Sequence, residues 1–432
     1  MQHRLPMGNY QWMTEKEIAN FDIFSQHFES DVGHVFSVTL SYPEKYHLDH
    51  SSLPLAATHI MTEYEDLSPY SKQCLEELQL KYVPVKKLSS TFETRRNYVC
   101  LGMNLKLYLE LGMVLEKIHF GIKFQQGDYM ANYVEAQSRA RRNAVTKIES
   151  LIAKKLVNSC FGKMIEGSSK RFDLRFARSR ERCLQINTDP RFSGFKICGD
   201  NLVVELLRKK QVDLRRHWMI GFAILELSKY VMSSIYYKVI QPTFDKQASI
   251  IFSDTDSYAL LLPVASADEA CRMLSPIMDF SNLDPCHPLY SDKLKNVAGF
   301  LKNETPSARI LKMCALKAKT YAYVTEQDLN ASKATQAKCK GVKKSARDKL
   351  RFEHYKQCII SPKVQTITQF SINSKNHCNR LVKVTKRAFS SMEDKRWYLC
   401  PRHSVPYGSV LIKRFKEANN ECFFCKNPHI LR

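Results

Sequence analysis

The chain has 432 residues, 44% of them hydrophobic, and carries 66 Lys and Arg against 43 Asp and Glu, a formal net charge of +23. A chain of this length can bury substantial cores and is expected to form two to four subdomains. The basic surplus favours a polyanionic partner, because cationic side chains that neutralise phosphates release counterions. No apolar run approaches the roughly 20 residues needed to span a bilayer, and the polar start MQHRLPMGNYQWM is not that of a signal peptide.

The 14 cysteines are scattered without regular spacing. In a chain this long, that pattern indicates reduced thiols inside a cell rather than a disulfide framework. A membrane-surface protein could be equally basic, so charge alone leaves that class open. Charge and cysteines together predict an intracellular protein that faces nucleic acid, with a nuclear location expected.

The first third of the chain predicts strands and then a helical segment. Residues 1–60 mix short strand-like runs with turns, and HVFSVTLSYP (34–43) is one such run. Residues 112–124 are apolar and rich in β-formers. Residues 133–161 predict one long basic helix, or a helical hairpin, closed by Gly162.

The middle of the chain carries a strongly apolar segment. Residues 171–215 are charged and broken by Gly194 and Gly199. The segment GFAILELSKYVMSSIYYKVI (221–240) is apolar nearly all round, which predicts a helix buried against a sheet. Beyond residue 323 the composition shifts, and residues 333–356 carry nine Lys and Arg against two acids. That shift is the best candidate for a domain boundary.

The stretch IIFSDTDSYALL (250–261) predicts a hairpin, in which two buried strands of four or five residues flank a polar turn. Asp254 and Asp256 would project together from its tip. Two carboxylates so close repel each other in a partly dry site unless a cation lies between them. Asp carboxylates suit Mg²⁺, so the motif predicts a two-metal site of the phosphoryl-transfer kind. The alternative is an ordinary polar turn, since Asp, Thr and Ser are common turn formers.

A second pattern lies in KKLVNSCFGKM (154–164). Lys154, Asn158 and Phe161 are spaced i, i+4, i+7, so a helix places all three on one face. A lysine, an amide and an aromatic ring in that order could contact the triphosphate, the sugar and the base of a nucleotide. The alternative is a solvated basic helix face that ends in a glycine cap.

These two segments together resemble the family B DNA polymerases. KKLVNSCFG resembles the K-x-x-x-N-S-x-Y-G motif of that family and SDTDS its D-T-D-S metal motif, in the expected order. Further stretches look like the protein-primed branch carried by Maverick/Polinton-type mobile elements and related viruses. They are LPMGNYQWM, DHSSLPLA, NLKLYLELGMVLEKIHFGIKF, GFAILELSKYVM, HPLYSDKLKNVAGFLKNE and MEDKRWYL followed by YG.

The resemblance implies roles for the metal and nucleotide residues. Asp256 matches the principal metal-binding aspartate and Asp254 its partner, so Mg²⁺ is the implied cofactor. Lys154 matches the lysine that contacts the incoming triphosphate, and Asn158 and Ser159 match the NS pair of the same helix. Phe161 stands where the family more often has the tyrosine that packs against the sugar.

The resemblance also implies DNA contacts. KAKTYAYV (317–324) resembles the K-x-Y primer-gripping strand, which assigns Lys319 and Tyr321 to the primer terminus; the alternative is a simple amphipathic strand. The basic stretch 333–356, with Lys340, Lys343 and Lys344, would contact backbone phosphates. The implied partners are primer-template DNA, deoxynucleoside triphosphates and a terminal protein that acts as primer, with no membrane.

The implied fold is an α+β right-hand polymerase core with an antiparallel-sheet palm, helical fingers and a small thumb, without the exonuclease domain. The implied function is DNA-directed DNA polymerase, a nucleotidyltransferase of DNA replication. The predicted domains are a partial palm with an insertion typical of the branch (1–124), helical fingers with the nucleotide-binding helix 147–162 (125–175), a palm with the metal-binding hairpin 250–262 (176–325), and a basic thumb with a C-terminal tail (326–432).

The family pattern includes a third carboxylate, in a D-x-x-x-L-Y-P-like motif that lies just before the LPxG stretch. Here that stretch begins at Leu5, so we expect an N-terminally truncated polymerase that lacks this aspartate. In VTLSYPEKYH, Thr39 occupies the carboxylate position, and Asp31 is the aspartate close by that could be recruited. The alternative function is therefore a catalytically impaired DNA-binding remnant of a mobile-element polymerase. A reverse transcriptase is disfavoured, because that class places its two aspartates side by side.

The C-terminus offers a separate metal-ligand pattern. Cys400 and His403 precede Cys422 and Cys425, which gives C-x2-H and C-x2-C separated by eighteen residues. This ligand set suits tetrahedral zinc. The alternatives are a chance arrangement among 14 cysteines and the terminal thumb hairpin that the polymerase resemblance expects at this point.

Overall fold

A computed structural model describes residues 1–167, 171–211, 217–306, 308–328, 336–375 and 378–427. Every sheet in these ranges is antiparallel, which agrees with the α+β class expected from the sequence. No helix within them is long and apolar enough to cross a bilayer.

Residues 1–127, here called the first lobe, contain six strands and three helices. The strands are β1 Leu5–Trp12, β2 Val32–Ser41, β3 Thr58–Ile60, β4 Lys87–Ser89, β5 Arg95–Leu101 and β6 Val114–Gly127. The helices are α1 Glu15–Ala19, α2 Pro69–Glu77 and α3 Gly102–Glu110.

The core of the first lobe is built around β2, which lies between β6 and β5 in a sheet of order β1-β6-β2-β5. Successive strand residues point to opposite faces, so Phe36, Val38 and Leu40 share one face and are fully buried. They pack with Leu105 and Tyr108 of α3. The strands predicted within residues 34–43 and 112–124 are thus confirmed as β2 and β6.

Residues 131–164 form two helices, α4 Ala131–Arg142 and α5 Lys147–Met164. Of the two alternatives that the sequence left open, the helical hairpin is therefore correct. Thr146 starts α5 through a capping box, in which its hydroxyl accepts from the Glu149 amide and the Glu149 carboxylate accepts from the Thr146 amide. The prediction that Gly162 closes the helix is wrong, because α5 continues past it to Met164.

The charged segment 171–215 is more regular than its composition suggested. It contains β7 Phe172–Ala177, α6 Arg180–Asn187, β8 Phe192–Gly199 and β9 Leu202–Arg208, with β9 between the other two strands. Gly194 lies beside one register shift between β8 and β9, and the ladder continues through it; Gly199 lies beside another and is the last residue of β8. Residues 212–216 lie outside the described ranges.

The apolar segment 221–240 is helical, as predicted. It comprises most of α7 Trp218–Ser234 and a π-helical stretch, Ile235–Ile240, which continues into the single turn α8 Gln241–Thr243. Tyr236 and Ile240 are fully buried. They pack against the hairpin that follows, formed by β10 Ser249–Asp254 and β11 Ser257–Leu261. The prediction of a helix buried against a sheet is confirmed.

Residues 310–391 form what we call the second lobe, which α9 Ala267–Met273 precedes. Its elements are β12 Ile310–Lys317, β13 Thr320–Thr325, β14 Gln336–Cys339, α10 Lys344–Arg347, α11 Phe352–Ile360, β15 Val364–Lys375 and β16 Cys378–Ser390. Tyr355 and Phe389 stack at 4.3 Å in its core. β13 and β14 pair with each other from opposite sides of the predicted boundary at 325/326. The four predicted domains and their boundaries stay predictions.

Residues 394–427, the C-terminal module, return to the first lobe. They form β17 Trp397–Cys400, β18 His403–Val405, α12 Val410–Glu417 and α13 Phe423–Lys426. The Phe92 amide donates to the Tyr407 carbonyl at 2.7 Å. A Cβ at Gly408, whose φ is +75°, would lie 2.8 Å from the Glu93 nitrogen, so only glycine permits this close approach.

Acid sensitivity is expected from His50, which is buried in the first lobe. The pKa of His50 is lowered to about 4, chiefly by burial, with Asp49 opposing the shift and Lys246 adding to it. Nδ1 of the neutral ring is hydrogen-bonded to the Tyr42 hydroxyl at 2.5 Å. The folded protein therefore binds fewer protons than the unfolded chain between the ordinary histidine pKa of 6.5 and about 4.

We therefore expect His50 to stabilise the fold fully above pH 6.5 and to lose that contribution as the pH falls. Between pH 7 and pH 5 the loss is about 2 kcal/mol from this group. Urea unfolding at both pH values measures it, and His50→Gln should reduce the pH dependence by that amount. His27→Gln, at an exposed position, is the control and should leave the dependence unchanged. Equal pH dependence in His50→Gln and the wild type would contradict the assignment.

Candidate functional site

The β10–β11 hairpin presents two carboxylates at its tip. Asp254 ends β10 and pairs with Ser257, and the turn between them consists of Thr255 and Asp256. The Asp256 amide donates to the Asp254 carbonyl at 2.6 Å across Thr255, as in a γ-turn. Asp254 is half-buried and Asp256 is exposed. The tip thus offers hard oxygen ligands to a cation that arrives from solvent.

The prediction that both strands of this hairpin are buried is wrong. None of the residues in β10 or β11 is fully buried, and Ile251 and Leu261 are 41% and 54% exposed. The physical reason is that the two strands form a sheet by themselves within the described ranges. Ile250, Tyr258 and Leu260 pack against the core around the π-helical stretch, which leaves the other side open.

A second hairpin tip meets the first. β12 and β13 are joined by the two-residue turn Ala318–Lys319, and the Lys319 ammonium lies 3.5 Å from the Asp254 carboxylate. Behind this ion pair the rings of Phe252 and Tyr321 lie 4.5 Å apart at 44°. The two segments that resemble the D-T-D-S and K-x-Y motifs are therefore in direct contact through a charge pair and a ring pair.

Both tips hold a residue in the left-handed region of the backbone. Thr255 has φ of 57° and Lys319 has φ of 59°. Such a conformation costs a residue with a Cβ about 1–2 kcal/mol, and a β-branched side chain such as threonine adopts it rarely. Backbone strain of this kind is concentrated at functional sites, where the surrounding structure maintains it.

The residues predicted to bind nucleotide lie on α5. Ala153, Cys160 and Met164 turn toward the core, and a helix advances about 100° per residue, so Lys154, Asn158 and Phe161 form an adjoining face. Lys154 and Asn158 are exposed, whereas Phe161 is half-buried.

Ser159 projects from another side of the same helix. Its hydroxyl donates to the Leu156 carbonyl at 3.0 Å. Within the part of the chain that the structure describes, no hydrogen bond or ion pair joins α5 to the β10–β11 hairpin. The roles of Lys154, Asn158, Ser159 and Phe161 stay predictions.

The basic residues predicted to contact DNA lie at the start of the second lobe. Lys340 follows β14, and Lys343 and Lys344 begin α10; all three are exposed. None of their ammonium groups forms an ion pair with a carboxylate in the described ranges. These three lysines follow Lys338 in the chain, and Lys338 lies opposite Tyr321 in the β13–β14 ladder. This basic surface is therefore connected through the sheet to the meeting point of the two tips.

Phe252 belongs to the site but was not singled out from the sequence. Phe252 lies two residues before Asp254 in β10, and residues two apart in a strand share a face, so this spacing could have suggested its position. Arg347 lies close enough to Tyr321 to lower its pKa, although burial, the larger effect, raises it. The carboxylates of Glu304 and Asp254 also raise the pKa of Tyr321, which places them nearby.

Neither residue considered for the third carboxylate position contacts the hairpin in the described ranges. The Thr39 hydroxyl is 2.8 Å from His119 Nε2, on the sheet of the first lobe. The Asp31 carboxylate pairs with Arg4 at the edge of the same sheet. Recruitment of Asp31 is thus unsupported by any contact that the structure describes.

The four C-terminal residues that the sequence suggested as zinc ligands come together. The ligand atoms of Cys400, His403, Cys422 and Cys425 all lie within 4.8 Å of one another. They connect the turn between β17 and β18 with the start of α13. The chance arrangement left open by the sequence is not what the structure shows.

Comparisons with known proteins agree with this architecture. No protein-family model matches the sequence, and no curated protein matches it significantly. Among solved structures, Phi29 DNA polymerase complexed with primer-template DNA matches with a TM-score of 0.51 and 14% identity over 89% of this chain and 54% of that one. Its ternary complex with DNA and incoming nucleotide matches with a TM-score of 0.49 and 15% identity over 90% and 55%.

The chain therefore has a fold like that of Phi29 DNA polymerase and spans about half of that chain's length. The sequence-based expectation of a polymerase-like fold is confirmed at the level of the fold. The affiliation with Maverick/Polinton-type elements stays a prediction.

The contact between the two hairpins predicts an energetic coupling between Phe252 and Tyr321. Aromatic pairs at this distance contribute about 0.5–1.5 kcal/mol beyond the area they bury. We expect that coupling energy from the unfolding free energies of Phe252→Leu, Tyr321→Leu and the double variant.

The matched control pairs Phe252→Leu with Tyr323→Leu. Tyr323 lies two residues along β13, on the same face as Tyr321, but its ring forms no pair with a ring in the described ranges. The control cycle should give a coupling near zero. A coupling of the Phe252–Tyr321 pair no larger than that of the control would show that the hairpins do not meet as described.

Proposed function

We propose that this chain carries the nucleotidyl-transfer core of a DNA-directed DNA polymerase of the protein-primed type. The carrying observation is the contact of Lys319 and Tyr321 with Asp254 and Phe252, because it joins two polymerase-like motifs at one point. The fold, which is like that of Phi29 DNA polymerase, supports the same proposal. The reaction is attack of a primer 3′ hydroxyl on the α-phosphorus of a deoxynucleoside triphosphate, with pyrophosphate as the leaving group.

The hairpin tip fits a hard divalent cation. Asp254 and Asp256 supply carboxylate oxygens on one turn, and the exposure of Asp256 leaves room for water and phosphate oxygens. These two residues would hold Mg²⁺. Mg²⁺ bound there would stabilise negative charge on the reacting phosphate oxygens. Without a cation, the two carboxylates repel each other, and Lys319 supplies partial compensation at Asp254.

The remaining residues take the roles that the resemblance to the family B DNA polymerases implies. Lys154 binds the triphosphate as a point charge, and Asn158 lies beside it on the same face of α5. Phe161 packs against the sugar of the incoming nucleotide, and Ser159 forms the NS pair with Asn158 on the same helix. Lys319 and Tyr321 hold the primer terminus.

The alternative function is a DNA-binding remnant without polymerase activity. The observation that favours it is the absence of any contact from Asp31 or Thr39 to the hairpin within the described part of the chain. A site with two carboxylates instead of three loses transition-state stabilisation of several kcal/mol, which lowers the rate by orders of magnitude. The two functions differ in one measurable property, which is incorporation of nucleotides.

Priming by a terminal protein and a nuclear location are also part of the polymerase proposal.

We expect the purified chain to extend a primer on a DNA template with Mg²⁺ or Mn²⁺, and Asp256→Asn to reduce the rate at least about 100-fold. The amide has the size of the carboxylate but lacks its charge, so DNA binding should stay within a factor of two. Gel-resolved primer extension and fluorescence anisotropy measure the two quantities.

The matched control is Asp245→Asn, which removes another exposed aspartate just before β10. Asparagine tolerates the left-handed φ of 47° at that position, so this variant should extend primers like the wild type. Extension by Asp256→Asn at the wild-type rate would overturn the assignment of the hairpin. Tight DNA binding with no extension by the wild type under any metal would establish the remnant instead.

The basic surface of the second lobe predicts a second effect, on DNA affinity. Replacing Lys340, Lys343 and Lys344 together by alanine should weaken binding of every DNA sequence alike. Each lost phosphate contact lowers the slope of log K against log salt by about 0.9, so the slope should fall by roughly 2 to 3.

Anisotropy titrations at several salt concentrations measure that slope. Alanine substitution of three exposed lysines in the first lobe, Lys16, Lys81 and Lys86, removes the same charge and should change the slope much less. If both triple variants change the slope equally, the effect comes from net charge and the proposed DNA contact is wrong.

A further inference from the structure

The C-terminal module contains a cluster of soft metal ligands that nucleotide transfer does not use. Cys400 is the last residue of β17 and His403 the first of β18, so a tight turn places both on one side. Cys422 caps the N-terminus of α13, and Cys425 lies within that helix. Two short spacers of two residues thus point four ligands to a common centre.

Three of four distances between ligand atoms lie close to those of a tetrahedral zinc site, and the fourth, between Cys400 and His403, is shorter. With Zn–S of about 2.3 Å and Zn–N of about 2.05 Å, tetrahedral ligands lie about 3.8 Å apart for two sulfurs and about 3.6 Å apart for sulfur and nitrogen. The Sγ atoms of Cys400 and Cys425 are 3.9 Å apart. The distances from His403 Nδ1 to the Sγ atoms of Cys422, Cys425 and Cys400 are 3.5, 3.6 and 3.1 Å.

We propose that Cys400, His403, Cys422 and Cys425 bind one Zn²⁺ ion as a closed structural site. Three thiolates and an imidazole select zinc over Mg²⁺, because soft sulfur ligands prefer zinc and carboxylates prefer magnesium. Four protein ligands leave no position for water, so the site holds structure and performs no chemistry. Binding releases the protons of the three thiols to solvent.

The size of the module explains why it needs a metal. From Trp397 to Lys426 it has roughly 30 residues, below the ~40 at which small units fold without disulfides, metals or partners. Its core consists of a few residues, among them Trp397, Leu411, Phe415 and Phe424. The zinc ligands connect the β17–β18 hairpin to α13 around this core, and so close the loop that contains α12.

The zinc site fastens a unit that is docked on the first lobe. Arg396 donates to the Ser51 carbonyl at 3.2 and 3.3 Å, and the Val410 amide donates to His47 Nδ1 at 3.0 Å. Lys413 and Glu44 form an ion pair at 2.7 Å. The second lobe leads directly into the module, so zinc keeps the end of the second lobe attached to the first lobe.

The first test is the metal content of the 432-residue chain, purified under reducing conditions from zinc-supplemented cells. Elemental analysis should find about one zinc per chain. Replacement of zinc by Co²⁺ should give the intense visible absorption of tetrahedral cobalt together with a thiolate charge-transfer band. Less than about 0.2 zinc per chain, or octahedral cobalt spectra, would overturn the proposal. So would a Cys400–Cys425 disulfide found by mass spectrometry in place of the metal.

Variants separate this site from the other cysteines. Cys422→Ser/Cys425→Ser should lose zinc at least about tenfold, whereas Cys286→Ser/Cys378→Ser, at two exposed cysteines, should retain one equivalent. Hydrogen exchange should then rise in residues 397–426 and in residues 91–93, but not in β1, β2 and β6. This pattern identifies local release rather than unfolding of the chain. Unchanged exchange after a chelator removes the zinc would disprove its structural role.

Discussion

The candidate active site depends on one constraint, which is that two carboxylates must be held at one hairpin tip, Asp254 at the end of β10 and Asp256 in the turn that follows. A two-stranded hairpin is only marginally stable in water, so its own folding free energy cannot offset the repulsion between two carboxylates at its tip. Tyr236 and Ile240 of the π-helical stretch pack against the hairpin. The negative charge of Asp254 is partly neutralised by Lys319, which is itself a left-handed residue in the turn of the second hairpin. The site is thus made by the meeting of two strained tips, and neither tip alone would place its functional group.

The same dependence on distant segments appears in the C-terminal module. Its β17–β18 hairpin and short helices bury too little apolar surface to persist alone, and they gain stability from contacts with residues 44–93 and from the four ligands. Residues 394–427 therefore pack against the first lobe. Gly408 shows how closely the two parts approach, because even one Cβ there would collide with backbone atoms of Phe92 and Glu93.

Sequence reasoning succeeded where the relevant interaction is local. The strand-like run 34–43 forms most of β2, and the apolar segment 221–240 is helical and packs against the β10–β11 hairpin. The sequence left open whether residues 133–161 form one helix or two, because the Thr146 capping box that separates them was not recognised as a helix start. The prediction that β10 and β11 are buried was wrong, because the burial of a strand depends on what covers each face of its sheet. The contact of Lys319 with Asp254 and the convergence of the four C-terminal ligands join segments far apart in the chain, so spacing could suggest them but not establish them.

The two metal sites proposed here obey opposite physical requirements, and the structure separates them accordingly. A cation that serves phosphoryl transfer must exchange ligands with substrate, which calls for hard oxygens on an exposed tip that is not closed by protein. A cation that holds a small core together must resist exchange, which calls for thiolates on backbone turns with no free position. Asp256 is exposed on its turn, whereas Cys422 is buried in the module core. A chelator selective for zinc should therefore act on the attachment of the C-terminal module while the carboxylates remain able to bind magnesium, and the two functions can be lost separately.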